Sequence, residues 1–115
     1  MFNSLYDRFI KLVSYCPEEL YLIHGDFGYD NVVANNGKIT GVLDWELSKY
    51  GDFLYDVAWL SLWTEKYDFV KIFQNHYEQK RIQIPNYKER ILCYQIHIAL
   101  GDMAWCAANG EVKKQ

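Results

Sequence analysis

The feature that most constrains the fold is the pair Asn36-Gly37, which separates two short apolar segments at 32–34 and 38–43. Asn and Gly adopt the left-handed backbone of a tight turn readily. Between two such segments this pair is the strongest local signal for a β-hairpin. The sequence therefore predicts a hairpin, which returns the residues that follow it to the region where the preceding residues lie.

Apolar periodicity predicts the other elements. They are a short strand at 21–23, a helix from Phe2 that ends before Pro17, a helix after Asp52 through Trp63, and helices over 68–79 and 87–108. In the helix after Asp52, which stands at the N-cap position, we expect Val57, Leu60 and Trp63 to form the buried stripe. Together these elements predict an α+β, mainly helical fold.

Length and composition predict one packed domain over 1–115. Of the 115 residues, 50% are hydrophobic and 17% are aromatic, which is ample for a core. Ten Tyr, six Phe and four Trp exceed what a small core can easily hold. We therefore expect an exposed apolar face and self-association through it.

Charge and cysteine usage exclude several function classes. The formal net charge of -3 and the scattered basic residues argue against a nucleic-acid partner. No apolar run is long enough to span a membrane, and the amino terminus lacks a secretory signal. Cys16, Cys93 and Cys106 form no CxxC pair, so we expect buried free thiols in a cytoplasmic protein.

Polar residues gather at both ends of the hairpin. Asp26 and Asn31 precede it, and Asp44 directly follows its second strand. Phosphoryl transfer needs a carboxylate beside the acceptor hydroxyl, together with oxygen ligands for magnesium. Because the hairpin folds back on itself, we expect Asp26 to face a hydroxyl while Asn31 and Asp44 converge on a magnesium ion.

Three motifs resemble those of a known family. They are H-G-D-F-G-Y-D-N at 24–31, V-L-D-W-E at 42–46 and G-D-F-L-Y-D-V-A at 51–58. In this order and spacing they resemble the aminoglycoside phosphotransferase family, whose fold is similar to that of protein kinases. The resemblance covers about residues 21–58. It implies the carboxy-terminal lobe of a kinase-like fold, with the metal ligands on the small hairpin.

The resemblance also implies an activity and a set of site residues. The implied enzyme is a phosphotransferase that moves the γ-phosphoryl group of ATP to a hydroxyl of a small polar acceptor, such as an aminoglycoside, with Mg²⁺ as cofactor. Such an activity would serve antibiotic resistance. By the same resemblance, Asp26 is the catalytic base, Asn31 and Asp44 bind magnesium, and His24 and Asp56 support the catalytic loop.

Two parts of a complete kinase-like enzyme have no counterpart in the sequence. These are the glycine-rich phosphate loop and the strand lysine that pairs with a helical glutamate. We therefore expect the nucleotide-binding amino-terminal lobe to be absent from these residues and the isolated chain to be inactive.

Two other functions remain open from the sequence. One is a truncated, non-catalytic kinase-like fragment or interaction module, which the absent lobe favours and the intact trio Asp26, Asn31 and Asp44 disfavours. The other is a metal-dependent hydrolase built on His24, Asp26 and Asp44. This site has less support, because the other two histidines fall on separate predicted helices.

Overall fold

The computed structural model describes residues 2–108, apart from a few side chains near the ends of this range. The elements follow one another along the chain as α1 (Phe2–Val13), β1 (Tyr21–Ile23), a 3-10 turn (Tyr29–Asn31), β2 (Val32–Asn35), β3 (Lys38–Val42), β4 (Lys49–Gly51), α2 (Leu54–Trp63), α3 (Phe69–Gln79) and α4 (Tyr87–Ala108). The prediction of an α+β, mainly helical fold is confirmed.

The predicted hairpin is formed by β2 and β3. The two strands pair antiparallel, with Val32 opposite Val42 and Asn35 opposite Lys38. Asn36 and Gly37 have φ angles of 53° and 75°, the left-handed values that a tight two-residue hairpin turn requires. The turn chemistry of the sequence thus sets the register of this sheet.

A second antiparallel pair, β1 with β4, was not predicted. Tyr21 pairs with Gly51 and Ile23 with Lys49, so the segment after the hairpin returns to the strand before it. This pairing closes the chain around the polar loop 24–31. It brings both ends of that loop and both ends of the hairpin into one region of the molecule.

The core lies where α2 packs against α4, and α1 covers another part of α4. Its buried side chains come mainly from these helices and from β1 and include Ile23, Leu54, Val57, Ala58, Ile91 and Ile98. The buried stripe predicted for α2 is correct for Val57 and Leu60 and wrong for Trp63, whose side chain is 50% exposed. Trp63 lies in the last turn of α2, where it borders a cleft instead of the core.

A buried ion pair fixes the start of α2 to α4. The carboxylate of Asp52 accepts hydrogen bonds from Arg90 Nε at 2.8 Å, from Arg90 Nη2 at 2.7 Å and from the Tyr94 hydroxyl at 2.5 Å. It also accepts one from the Leu54 amide at 3.0 Å, although Phe53, and not the predicted Asp52, occupies the N-cap position of α2. The ion pair itself joins residues far apart in the sequence and was not predicted.

Many large apolar side chains are exposed, as the composition predicts. Leu20, Leu22, Ile39 and Tyr50 are each more than half exposed. Self-association through such surface stays a prediction. Of the cysteines, Cys93 is buried and Cys16 is half-buried, whereas the side chain of Cys106 lies outside the described part of the chain. Within residues 2–108, no helix combines the length and apolarity needed to cross a membrane.

Candidate active site

The polar loop 24–31 begins where β1 ends, and one carboxylate on α2 anchors its first residues. Asp56 accepts a hydrogen bond from the His24 amide at 2.8 Å and another from the Gly25 amide at 2.9 Å. Both amides belong to buried residues, so leaving them without acceptors would be costly. Asp56 therefore ties the loop to the most buried helix of the core.

Gly25 allows the loop to pass close to the segment after the hairpin. Its φ of 87° is in the left-handed region, and a Cβ added there would lie 2.3 Å from the backbone oxygen of Leu47. A backbone atom cannot move aside as a flexible side-chain end can. Only glycine fits both the conformation and the space at this position.

The buried His24 side chain links the loop to the end of β3. Its Nδ1 accepts a hydrogen bond from the Asp26 amide at 3.1 Å, and its Nε2 lies 2.7 Å from the Leu43 carbonyl oxygen. Because an amide can only donate and a carbonyl can only accept, the ring carries its proton on Nε2. Both nitrogens are therefore engaged inside the protein, which leaves neither for a metal ion or a substrate.

Asn31 lies beside Asp26 at the other end of the loop. Its side-chain Nδ2 donates to the Asp26 backbone oxygen at 2.8 Å and lies 3.4 Å from Oδ2 of the Asp26 carboxylate. The Asn31 backbone oxygen accepts from the Leu43 amide at 2.7 Å. The loop and the end of β3 are thus held together at the residue directly before Asp44.

Asp44 follows β3 in an unusual backbone conformation, with a φ of 59°. Non-glycine residues seldom adopt this left-handed region, and aspartate tolerates it better than most. The neighbouring Trp45 donates from Nε1 to the Val42 carbonyl at 2.9 Å, and its ring centroid lies 4.8 Å from that of His24. These contacts hold the sharp bend that carries Asp44.

Asp26, Asn31 and Asp44 line one cleft of about 550 Å³. Asp30 adds a third carboxylate, and no Lys, Arg or His is among the described residues that line it. The structure thus brings together the three residues that the sequence singled out. The His24 ring and the Asp56 carboxylate do not line the cleft and support the loop through hydrogen bonds.

Aromatic side chains on α2 form a wall of the same cleft that sequence reasoning missed. Trp59 and Trp63 line it together with Thr64, and the two indole rings lie 5.6 Å apart at 59° to each other. Trp63 was expected in the buried stripe of α2. The spacing of one helical turn between the two tryptophans was visible in the sequence, but that pattern is equally typical of a buried stripe.

The donor atoms in the cleft fit a magnesium ion. Within residues 2–108, the Asn31 side-chain oxygen and the Asp44 carboxylate make no hydrogen bond or ion pair with the protein. Magnesium prefers such oxygen ligands and binds through one or two carboxylates completed by water and phosphate. The described residues contain no group of three or more His, Cys, Asp or Glu side chains placed to hold a metal, which a magnesium site of this kind does not require.

The chain is similar in sequence to several known proteins. Hygromycin-B 4-O-kinase from Escherichia coli is 30% identical over 95 residues, which are 83% of this chain and 28% of that protein. Acyl-CoA dehydrogenase family member 11 from Pongo abelii is 37% identical over 78 residues, or 64% of this chain and 10% of that protein.

A solved structure shares the fold. The crystal structure of a thermostable mutant of aminoglycoside phosphotransferase APH(4)-Ia, in a ternary complex with ADP and hygromycin B, superposes with a TM-score of 0.74. The match has 26% identity and covers 94% of this chain and 36% of that one. The chain therefore spans about a third or less of the length of these relatives.

These findings confirm the resemblance that the three motifs predict, including the particular likeness to hygromycin B phosphotransferase. The family model for phosphotransferase enzymes matches residues 5–90, which are most of the chain. The protein thus belongs to the phosphotransferase enzyme family, and its α+β fold matches part of the kinase-like fold of an aminoglycoside phosphotransferase.

Proposed function

We propose that this chain supplies the catalytic base and the metal ligands of a phosphotransferase that moves the γ-phosphoryl group of ATP to a hydroxyl of a small polar acceptor. The observation that carries this proposal is the convergence of Asp26, Asn31 and Asp44 on one acidic cleft, in a chain of the phosphotransferase family. Solved relatives in complex with ADP or AMP-PNP and hygromycin B support the choice of nucleotide and acceptor class.

Asp26 is the base in this proposal. Its carboxylate is half-buried at the start of the cleft, with its amide fixed by His24 and its Oδ2 beside Asn31. A carboxylate held this way can accept the proton of an acceptor hydroxyl as that oxygen attacks phosphorus. Catalysis of this reaction depends mainly on positioning, which the fixed loop 24–31 provides.

Asn31 and Asp44 are the proposed metal ligands. A bound magnesium ion would neutralise charge on the phosphates during transfer. An acidic cleft needs this help, because the carboxylates of Asp26, Asp30 and Asp44 repel a bare triphosphate. The side-chain hydrogen bonds of Asn31 leave its carbonyl oxygen available, and Asp44, in its left-handed bend, lines the same cleft.

The acceptor class follows from the charge and the shape of the cleft. Its lining carries three carboxylates and two indole rings, which suits a cationic sugar with hydroxyl groups. We propose an aminoglycoside, so that the biological role is antibiotic resistance. Hygromycin B bound to the solved relative supports this class.

The groups that clamp the nucleotide phosphates are proposed to come from a separate amino-terminal lobe. The 115 residues contain no glycine-rich phosphate loop, and the described lining of the cleft offers no cation. Without those groups the triphosphate is held poorly against Asp26. We therefore expect the isolated chain to bind magnesium nucleotide weakly and to transfer phosphate at a negligible rate.

The experiment that tests the site uses the 115-residue chain with Mn²⁺ as a paramagnetic stand-in for Mg²⁺, together with AMP-PNP. Amide resonances of residues 26–31 and 42–46 should broaden selectively, and Asp44→Asn should reduce this broadening strongly. Asp30→Asn is the matched control, because it removes the same charge from the cleft without removing a proposed ligand. Broadening centred elsewhere, or equal loss in the two variants, would refute the metal assignment.

A further inference from the structure

A second cavity, of about 290 Å³, lies between α1, β4, α2 and α4 and shares no lining residue with the acidic cleft. Its walls are mostly apolar and include Phe9, Val13 and Ile23, together with the thiols of Cys16 and Cys93. Asp52 also lines it, but its carboxylate is saturated by Arg90, Tyr94 and the Leu54 amide. A carboxylate neutralised in this way cannot attract a cation into the cavity.

The positive charge that can attract a ligand to this cavity is the ammonium group of Lys49. Its Nζ lies 4.1 Å from the ring centroid of Tyr55, so the ammonium is held over the cavity wall. Among residues 2–108 it forms no ion pair, since the ion pair described in that range joins Asp52 and Arg90. Partial desolvation, with a smaller effect from Lys49, lowers the pKa of the neighbouring His97, although much of this side chain is exposed.

We propose that this cavity is a binding site for a medium-length aliphatic carboxylate, with its chain among Phe9, Val13 and Ile23 and its carboxylate on Lys49. The assignment follows from charge complementarity, because an apolar cavity with one unpaired cation favours an apolar molecule with one negative end. An aliphatic cation would be repelled by Lys49. A polyphosphate would bring several charges against apolar walls that cannot satisfy them.

The chain-length dependence of binding follows from burial of the tail. Each methylene taken from water into the cavity should tighten binding by about fourfold. Extending hexanoate to octanoate should therefore tighten binding by roughly fifteenfold, as long as the cavity has room. The partly exposed contact with Lys49 should add a smaller factor of about two to five.

The test is an NMR titration of the 115-residue chain with octanoate, with hexanoate and octylamine as comparison ligands. We expect saturable shifts of the amides of residues that line the cavity, weaker binding of hexanoate, and weaker binding of octylamine. Lys49→Gln should weaken octanoate binding by about two- to fivefold and remove the preference over octylamine. Lys38→Gln, on the exposed hairpin, is the matched control and should leave the affinity unchanged.

A cavity-filling variant gives a second readout. Val13 is 45% exposed, so Val13→Phe can be accommodated without unfolding α1, and its ring should displace the ligand tail and abolish saturable binding. Absence of saturable shifts with octanoate in the wild-type chain would overturn the proposal, as would equal affinity for octylamine or an unchanged affinity in Lys49→Gln. If the same amides shift when only the protein concentration changes, the cavity face binds a second copy of the chain. This result would also overturn the proposal.

Discussion

Asn31 and Asp26 are joined through one side-chain nitrogen, which lies 2.8 Å from the backbone oxygen of Asp26 and 3.4 Å from its Oδ2. The proposed metal ligand thus also orients the proposed base. A substitution at Asn31 would disturb both functions together. Asp26 and Asp44 share no such contact among the described hydrogen bonds, so substitutions at these two positions can separate proton transfer from metal binding.

Asp56→Ala should destabilise the fold by about 2–5 kcal/mol, because it leaves the buried amides of His24 and Gly25 without an acceptor. Urea denaturation followed by far-UV circular dichroism would measure the loss. Asp30→Ala serves as the control, since Asp30 is exposed, and should change stability by less than about 0.5 kcal/mol. Equal stability of the two variants would show that Asp56 does not anchor the loop.

Gly25→Ala should cost about 2–4 kcal/mol, because the added methyl group meets the Leu47 backbone oxygen in a backbone conformation that alanine avoids. Gly28→Ala is a close control in the same loop. The φ of Gly28 is -177°, an extended value open to any residue, and an added Cβ there meets no atom within 4 Å. Thermal unfolding of the two variants should differ clearly. A stable Gly25→Ala protein would contradict the close approach of the loop to Leu47.

Stability should fall in acid through Asp52. Burial alone would raise the pKa of this carboxyl, but hydrogen bonds from Arg90, Tyr94 and the Leu54 amide outweigh burial and lower the pKa in the folded state. The stabilisation is therefore complete above the pKa of Asp in the unfolded chain, about 3.9. It is lost as the pH falls through the lower folded value.

Asp52→Asn tests this dependence. At about pH 6 the variant should be less stable by about 3–5 kcal/mol, because Arg90 remains buried without its counter-charge. Urea midpoints measured from about pH 6 to about pH 2 should converge for the wild-type chain and the variant, since protonation removes the same charge. Parallel curves over this range would show that Asp52 does not carry the acid sensitivity.

Elements set by neighbouring residues could be predicted from the sequence. The turn at Asn36-Gly37 depends on local backbone chemistry and forms as expected. The helix after Asp52 also forms, with its N-cap one residue later than predicted, at Phe53. Strand β4 could not be predicted, because Lys49–Gly51 is too short to show a period and is defined only by its pairing with β1. The ion pair between Asp52 and Arg90 could not be predicted either, because it depends on how the start of α2 packs against α4.

The candidate site likewise has a part that the sequence predicts and a part that depends on packing. Motif spacing identified Asp26, Asn31 and Asp44, and the hairpin brings them to one cleft. The aromatic wall was missed, because helical periodicity does not tell a buried face from a face that borders a cleft. Trp63 is six residues from the buried Val57, which turns its side chain about 120° away around the helix and leaves its ring half exposed.

The central claim is best tested by phosphoryl transfer from ATP to hygromycin B in a chimera, with this chain replacing the corresponding third of aminoglycoside phosphotransferase APH(4)-Ia. Asp26→Ala should lower kcat by about 10²- to 10⁴-fold while ATP affinity stays close to that of the unsubstituted chimera. Asp44→Ala should also weaken binding of the magnesium nucleotide. Unchanged transfer by an Asp26→Ala chimera that folds normally would contradict the assignment of Asp26 as the base, and with it the proposed reaction at this cleft.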